Sequence, residues 1–414
     1  KYMRFLFSLI GLVYSSLIKL AVPFNPKARM MVRGRWKVWR QLREGIVPGG
    51  RYIWFHAASL GEFEQGRPMI ERIRSEYPDY RIVLTFFSPS GYEVRKNYEG
   101  ADVIVYLPAD RLPRVRKFLD LVKPEMAIFI KYDFWPCFLT ELERRQIPTY
   151  LVSSIFRPSQ LFFRWYGGAY KRLLHCFTHI FVQDEASRLL LEKHGIDHVS
   201  VAGDTRFDRV ISVYEARKSL PLIERFAASV PEDGLVIVGG SSWPPDEEIL
   251  VRYFNRNPKI KLILAPHEID KEHLLQIISH IRRPFIRLSE ATESDIARQD
   301  CLIVDSFGLL SSIYRYGQVA FIGGGFGKGI HNTPEAAVYG IPVIFGPRYE
   351  KFKEARELID VGGGFSVSSA EEFGNLIKRI QTDKAYRDAA SHAAADYIRS
   401  NAGATEYIVH RIMK

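Results

Sequence analysis

The sequence predicts an α/β protein of two parallel sheets, each covered by helices, with a cleft between the two halves and a hydrophobic helix in front. Three observations predict it. From Arg51 onward, short β-branched or aromatic runs alternate with turns and amphipathic stretches. That rhythm pauses once, between Gly203 and Pro231, and an apolar stretch from Phe5 to Phe24 precedes it. The 414 residues suit two or three domains, and a chain 47% hydrophobic and 25% charged has a globular balance.

The leading stretch reads FLFSLIGLVYSSLIKLAVPF, about the length a helix needs to span a bilayer. Its one charge, Lys19, stands near an end, where a long side chain can reach the interface. With no A-x-A cleavage pattern, residues 1–25 are expected to be an anchor helix rather than a removed signal. Lys27, Arg29, Arg33, Arg35, Lys37, Arg40 and Arg43 crowd behind it, against Lys1 and Arg4 in front. This asymmetry puts the following domain on the cytoplasmic side, and the cluster attracts anionic headgroups or phosphates. A buried N-terminal helix and one lying in the interface stay open, since Ser8, Tyr14, Ser15, Ser16 and Lys19 interrupt a clean span.

In the first domain, residues 26–215, strands are expected at Tyr52–His56, Arg81–Phe86, Val103–Tyr106, Met126–Ile130, Thr149–Val152 and His179–Val182, with a further one at Val199–Val201. Helices are expected at Glu62–Glu76, Leu112–Val122, Phe138–Arg145 and Glu185–Lys193. The pause is polar, carries Pro221, and reads as a linker plus one helix. In the second domain, residues 216–414, strands follow at Leu235–Val238, Lys261–Leu264, Leu302–Val304, Val319–Phe321 and Pro342–Phe345. Their helices are Asp246–Asn255, Lys271–Ile281, Leu309–Tyr316, Pro334–Tyr339 and Lys351–Ile359, and a helical tail runs from Ala370 to the end. Such Rossmann-like sheets bind ligands at the carboxyl ends of their strands, so chemistry is sought in those loops.

The loop Phe55-His56-Ala57-Ala58-Ser59-Leu60-Gly61-Glu62-Phe63 turns from strand to helix through small residues. A helix start favours an anion, so Glu62 is either a general base facing the cleft or a helix-start Glu serving only the dipole. Ser88-Pro89-Ser90-Gly91 reads as a turn. The run Gly323-Gly324-Gly325-Phe326-Gly327-Lys328-Gly329-Ile330-His331-Asn332-Thr333-Pro334-Glu335 lies between a strand and a helix, with Pro334 suited to the first turn and Thr333 to the N-cap. Exposed N–H groups there could hold a phosphate. The run matches neither a P-loop nor a dinucleotide fingerprint, and a nucleotide-sugar site is the better reading. Glu335 either accepts from ribose hydroxyls or caps the helix. Ser241-Ser242, Pro266-His267-Glu268 and Phe307-Gly308-Leu309 share the same position at strand ends.

Net charge is +11, which favours anionic partners: membrane, phosphorylated substrate or nucleic acid. No nucleic-acid reader motif is present, and none is expected as a partner. Cys137, Cys176 and Cys301 are isolated and read as buried thiols. No Asp-x-Asp is placed to hold a cation on a diphosphate, and His56, His267 and His331 have no i,i+4 His or Cys partner. Neither metal nor cofactor is expected.

Together these segments resemble the 3-deoxy-D-manno-octulosonic acid (Kdo) transferases across nearly the whole chain, as a divergent branch. His56-Ala57-Ala58-Ser59-Leu60-Gly61-Glu62 is similar to the family's H-x-A-S-x-G-E, whose Glu is the proposed catalytic base. Gly203-Asp204-Thr205-Arg206-Phe207-Asp208 is similar to G-N-x-K-F-D, His331-Asn332-Thr333-Pro334-Glu335 to H-N-x-x-E, and Ile341-Pro342-Val343-Ile344-Phe345-Gly346-Pro347 to I-P-V-x-x-G-P. Four segments depart. Pro266-His267-Glu268 replaces Pro-Arg-His, so a phosphate-pairing Arg is missing and Lys328 or Arg348 could substitute. Phe307-Gly308-Leu309 replaces M-G-E, and Lys131-Tyr132-Asp133-Phe134-Trp135-Pro136 replaces E-T-E-x-W-P. Ser153-Ser154-Ile155-Phe156-Arg157 stands for N-A-R-L-S.

The resemblance implies a GT-B type glycosyltransferase that moves Kdo from CMP-Kdo to a lipid A precursor, inverting and without metal. It makes Glu62 the catalytic base. It places CMP on Pro266, His267, Phe307, Gly308, Leu309, Asn332, Thr333, Pro334 and Glu335. Arg33, Arg35, Lys37, Arg40, Ser59 and Gly61 are candidates for the acceptor, and the enzyme is expected at the inner membrane with its catalytic domains on the cytoplasmic side. A UDP-sugar transferase or epimerase, and a non-catalytic lipid-binding protein on this fold, are the rival readings.

Overall fold

The structure, a computed structural model, describes residues 16, 18, 20–216 and 218–414. The expected anchor over residues 1–25 therefore lies mostly outside the described residues. Among those described, no helix is long and apolar enough to cross a membrane.

Two compact units emerge: residues up to Arg209 with 402–414, and Val210–Asn401. In the first, seven parallel strands, β1 (Arg51–Ala57), β2 (Tyr80–Phe86), β3 (Val103–Tyr106), β4 (Pro124–Ile130), β5 (Thr149–Ser154), β6 (His179–Val182) and β7 (Val199–Val201), lie in the order β3-β2-β1-β4-β5-β6-β7. The strands read as near-continuous apolar runs because helices bury both faces. On one face Trp54, fully buried, meets the rings of Phe118, Phe129 and Phe138 at 4.9, 5.2 and 5.2 Å. On the other, Phe55, Phe63, Ile70 and Phe86 form a second layer. The helix Leu60–Glu76 lies tight on the sheet, since a Cβ on Gly66 would stand 2.1 Å from Ile130 Cδ1.

A helix that the sequence reading did not place, Pro26–Gly45, opens this unit. Asn25 caps it by accepting from the N–H groups of Lys27 and Ala28. Gly34 lets it close on the Tyr106 ring at the end of β3, and Gly45 sits against Val103 at the start of β3.

The second unit repeats the plan with β8 (Leu235–Ser242), β9 (Ile260–Pro266), β10 (Phe285–Arg287), β11 (Cys301–Ile303), β12 (Val319–Ile322), β13 (Val343–Phe345) and β14 (Gly364–Ser366), all parallel, in the order β10-β11-β9-β8-β12-β13-β14. Strands β10 and β14 were not legible in the sequence. Both are three-residue sheet edges, and one begins with Gly364. The pause holds two helices rather than one, Thr205–Glu215 and Pro221–Ala228.

The two units differ from the expected domains 26–215 and 216–414 in two places. The division falls at Arg209, inside the helix Thr205–Glu215, and the end of the tail leaves the second unit. Helix Ala404–Ile412 buries Ile408, Val409 and Ile412 in the core with Phe63 and Phe86. Asp208 pins its start, accepting from the N–H groups of Gly403 at 2.6 Å and Thr405 at 2.7 Å.

Candidate active site

In each sheet the order reverses at one strand, which opens a crevice at its carboxyl end. In the first unit that strand is β1, paired with β2 and β4. Its penultimate residue, His56, is fully buried. Nδ1 faces the Thr85 carbonyl oxygen at 3.1 Å and its hydroxyl at 2.8 Å. A carbonyl only accepts, so Nδ1 carries the proton. Nε2 then accepts from the Trp135 indole N–H at 3.0 Å. Asp133 Oδ2 stands 3.1 Å from the same Nε2, yet among the described residues this buried oxygen has no hydrogen-bond donor. With Nε2 already accepting from Trp135, that carboxylate oxygen is left to accept from an incoming hydroxyl.

Glu62 lies half-buried at the start of the helix Leu60–Glu76. Its Oε2 accepts from the Ser59 N–H at 2.9 Å and the Ser59 hydroxyl at 3.2 Å. This is a capping box, so the helix-start role considered for Glu62 is real. The same residue is also tuned. Burial pushes its carboxyl above the ordinary value, and the charge of Asp133 adds to the rise; the Ser59 bonds and His56 oppose it. Gly61 beside it is exposed, with open space where a Cβ would stand. The next loop is tied alongside, as Ser88 N–H donates to the Ala58 carbonyl at 2.8 Å. Lys131, one residue past β4, and Ser153, within β5, hold left-handed backbone with φ of 70° and 56°. Such strain collects at functional loops.

The basic candidates divide. Arg33, Lys37 and Arg40 are exposed on the first helix, with Arg40 3.8 Å from Glu44. Arg35 turns inward: its Nε donates to the Leu107 carbonyl at 3.2 Å and its guanidinium lies 5.1 Å from the Phe87 ring centre.

In the second unit the reversal falls at β8, between β9 and β12. Here the loops converge. His267 stacks between Trp243 and His331, with ring centres 4.7 and 4.4 Å away. The Trp243 indole N–H donates to His331 Nε2 at 3.1 Å. Burial and the neighbouring His267 keep His331 below its ordinary pKa. Pro266 is buried at the end of β9 and the His267 N–H donates to the Ser242 carbonyl at 2.9 Å. Phe307 is exposed, Gly308 has φ 83°, and Leu309 begins a short helical turn.

Several amides of the glycine run turn inward: Gly323 donates to Gly240, Gly327 and Gly329 to Gly324, and His331 to Gly323. Gly324 N–H donates to Asp246 Oδ2 at 2.8 Å. The glycines serve close approach, because a Cβ on Gly323 would lie 2.3 Å from the Ser241 carbonyl oxygen and one on Gly325 2.5 Å from Gly346 N. Thr333 is helical and makes no capping bond. Instead Asn332 Nδ2 donates to Glu335 Oε1 at 2.8 Å. Three buried polar atoms in these loops lack partners among the described residues: Asp246 Oδ1, Asn332 Oδ1 and Thr333 Oγ1. Buried polar groups are rarely left so, and their clustering at the strand ends suits a polar ligand. Arg348, considered for phosphate, donates to the Gly327 carbonyl, and Lys328 is exposed.

Among the described residues no cluster of His, Cys, Asp and Glu could hold a metal ion. The sequence reading missed Asp133 and Trp135, though both lay in a segment it singled out. It also missed Trp243 and Asp246, whose signal was the small-residue loop they follow.

Residues 30–209 match the family described as 3-Deoxy-D-manno-octulosonic-acid transferase (kdotransferase). Over 80% of its length the chain is 28% identical to a 3-deoxy-D-manno-octulosonic acid transferase of Aquifex aeolicus, covering 86% of that protein. A protein of the same name from Rickettsia felis is 29% identical over 82% of this chain and 74% of its own. Among solved structures, UDP-GlcNAc 2-epimerase of Neisseria meningitidis shares the fold, with a TM-score of 0.62 over 87% of this chain and 99% of that one, at 13% identity.

Proposed function

We propose that this chain, whose residues 30–209 carry the Kdo transferase family's domain, transfers Kdo from CMP-Kdo to a lipid A precursor. The observation that carries the proposal is Glu62: a half-buried carboxyl at the end of a family-like segment, its proton affinity raised by burial and by Asp133. A base of that kind holds a proton more readily than an exposed carboxylate.

In the proposed reaction Glu62 takes the proton of the acceptor hydroxyl. The oxygen attacks the anomeric carbon of Kdo, the bond to phosphate breaks, and CMP leaves with the bonding pair from the opposite face, so configuration inverts. Asp133 Oδ2, 3.1 Å from His56 Nε2, accepts from that hydroxyl and orients it. The second unit binds the donor through the Trp243–His267–His331 stack and the unpartnered oxygens Asn332 Oδ1 and Thr333 Oγ1. A single leaving phosphate lowers the demand for a divalent cation. The exposed Arg33, Lys37 and Arg40 face an anionic inner-membrane surface on the cytoplasmic side.

The test is mass spectrometry of a tetra-acylated lipid A precursor incubated with the purified full chain and freshly made CMP-Kdo. The expected product is heavier by one or more Kdo residues. An unchanged lipid, together with stronger thermal stabilisation by UDP than by CMP, overturns the reading. Loss of product in Glu62→Ala with donor binding retained separates an enzyme from a lipid-binding protein on the same fold.

A further inference from the structure

Between Glu143 and Asp184 the sequence holds no acidic residue, while Arg144, Arg145, Arg157, Arg164, Lys171 and Arg172 all fall there. Arg144 and Arg145 pair with Glu141, and Arg172 with Glu143. Among the described residues no carboxylate pairs with Arg157, Arg164 or Lys171. In the middle of this basic segment, after β5, stand Trp165 and Tyr166, 94% and 61% exposed. Scattered apolar side chains on a surface are ordinary, but an almost wholly solvated Trp beside a Tyr is not a packing residue.

The loop that carries them is built rather than slack. Phe162 is buried and its ring lies 4.6 Å from that of Phe134. Phe163, Arg164 and Gly167 N–H groups donate to Gln160, Leu161 and Arg164 carbonyls in succession. Gly167 is required, since a Cβ there would fall 1.8 Å from the Leu161 carbonyl oxygen. The two rings, 5.3 Å apart and edge to face, are thus held outward by a buried foot.

Strand direction says where the loop leaves the sheet. The loop follows the carboxyl end of β5, and all seven strands of this sheet are parallel. The first helix runs back along β3 from Gly34 at its end to Gly45 at its start, so residues before Gly34 continue past that same carboxyl edge. There Phe24 and Met30 are exposed among Arg29 and Arg33. Both segments leave the sheet at its carboxyl edge, and by Phe163, whose ring lies 4.7 Å from that of His194 just past the helix Glu185–Lys193, the loop has turned down the flank of the unit.

We infer that the loop 157–172 is a second membrane contact, in which Trp165 and Tyr166 enter the headgroup region of an anionic bilayer while Arg157, Arg164 and Lys171 meet lipid phosphates. Trp and Tyr favour that depth because each ring is apolar with a polar tip, and basic side chains add attraction to anionic headgroups. The inference rests on the proposed lipid acceptor, which would be met at the same bilayer surface.

The experiment uses the full chain and vesicles of phosphatidylethanolamine with phosphatidylglycerol, compared with phosphatidylcholine alone. Trp165→Ser/Tyr166→Ser should lower the vesicle-bound fraction about tenfold, and Arg164→Glu about fivefold, with the latter effect vanishing at high salt. Brominated lipid should quench wild-type fluorescence more than that of Trp165→Phe. Melting temperature and its shift with CMP should not change, which excludes misfolding. Equal binding and equal quenching in wild type and variants overturn the inference. Loss of self-association without loss of vesicle binding also overturns it, and assigns the loop to a second copy of the chain. If vesicle binding falls as expected but wild type transfers no sugar in any lipid dispersion, the transfer reading fails and the membrane contact stands.

Discussion

Glu62 has two jobs at one atom, since the Oε2 that caps its helix belongs to the carboxyl proposed to take the proton. Glu62→Gln separates them. Glutamine can complete a capping box, so the fold should melt no lower than wild type, while transfer should fall about 10²- to 10⁴-fold. The pH dependence has a definite sign. The folded protein raises the Glu62 pKa, so the ionised base is lost as pH falls, starting above the usual carboxylate range, and the rate should drop on that acid limb. The same shift means that protonating Glu62 favours the folded state: its contribution to stability grows as pH falls through the folded pKa, and Gln removes that dependence. Asp133→Asn takes away a charge that raises Glu62, so the acid limb of the rate profile should move to lower pH. An unmoved limb would show that Glu62 is not the group titrating. Glu62 was legible because it closes a recognisable segment. Its partner Asp133 lies far along the chain, and only the pairing of β1 with β4 brings the two loops together.

Among elements, the glycine run shows a motif whose location was readable and whose mechanism was not. Its place between β12 and a helix was plain from composition. Five of its amides are taken within the fold, by Gly240, Gly323, Gly324 and Asp246. Asp246 is fully buried and ties two loops, accepting from Trp243 N–H at 2.9 Å and from Gly324 N–H at 2.8 Å. Asp246→Ala leaves the Gly324 N–H buried without a partner and takes the acceptor from the half-buried Trp243 N–H, and should cost about 2 kcal/mol of stability in denaturant melts. It should also abolish the rise in melting temperature given by CMP, because Trp243 and the glycine loop lose their common tether. A variant that melts early but keeps its full CMP shift would leave Asp246 a purely structural residue. Helix Pro26–Gly45 went unread for another reason: its charges drew attention as a patch, while its buried stripe of Met31, Val38 and Leu42 is short and widely spaced.

At the scale of the whole molecule, the chain ends in its first unit. Removing residues 402–414 exposes the pocket filled by Ile408, Val409 and Ile412, each worth about 2 kcal/mol when buried, and frees Asp208 from two backbone donors. The truncated protein should lose resistance to proteolysis in residues 26–209, while residues 210–401 stay protected. Uniform cleavage of both units would argue against the division. The segment Gly203–Asp208 thereby gains a structural reason for its final Asp, independent of any ligand.

The alternation of apolar runs and amphipathic stretches was enough to determine two parallel α/β sheets, because the period of a segment's burial depends only on neighbours along the chain. The segment ending in Glu62 and the position of the glycine loop were local in the same sense. Everything that depends on groups distant in sequence waited for the tertiary structure. Trp135 and Asp133 meet His56, Trp243 and His331 close on His267, and the last helix returns to the first sheet. Edge strands β10 and β14 belong with these, for Phe285–Arg287 and Gly364–Ser366 are only partly buried and lack the apolar run that announces the equally short β11 and β13.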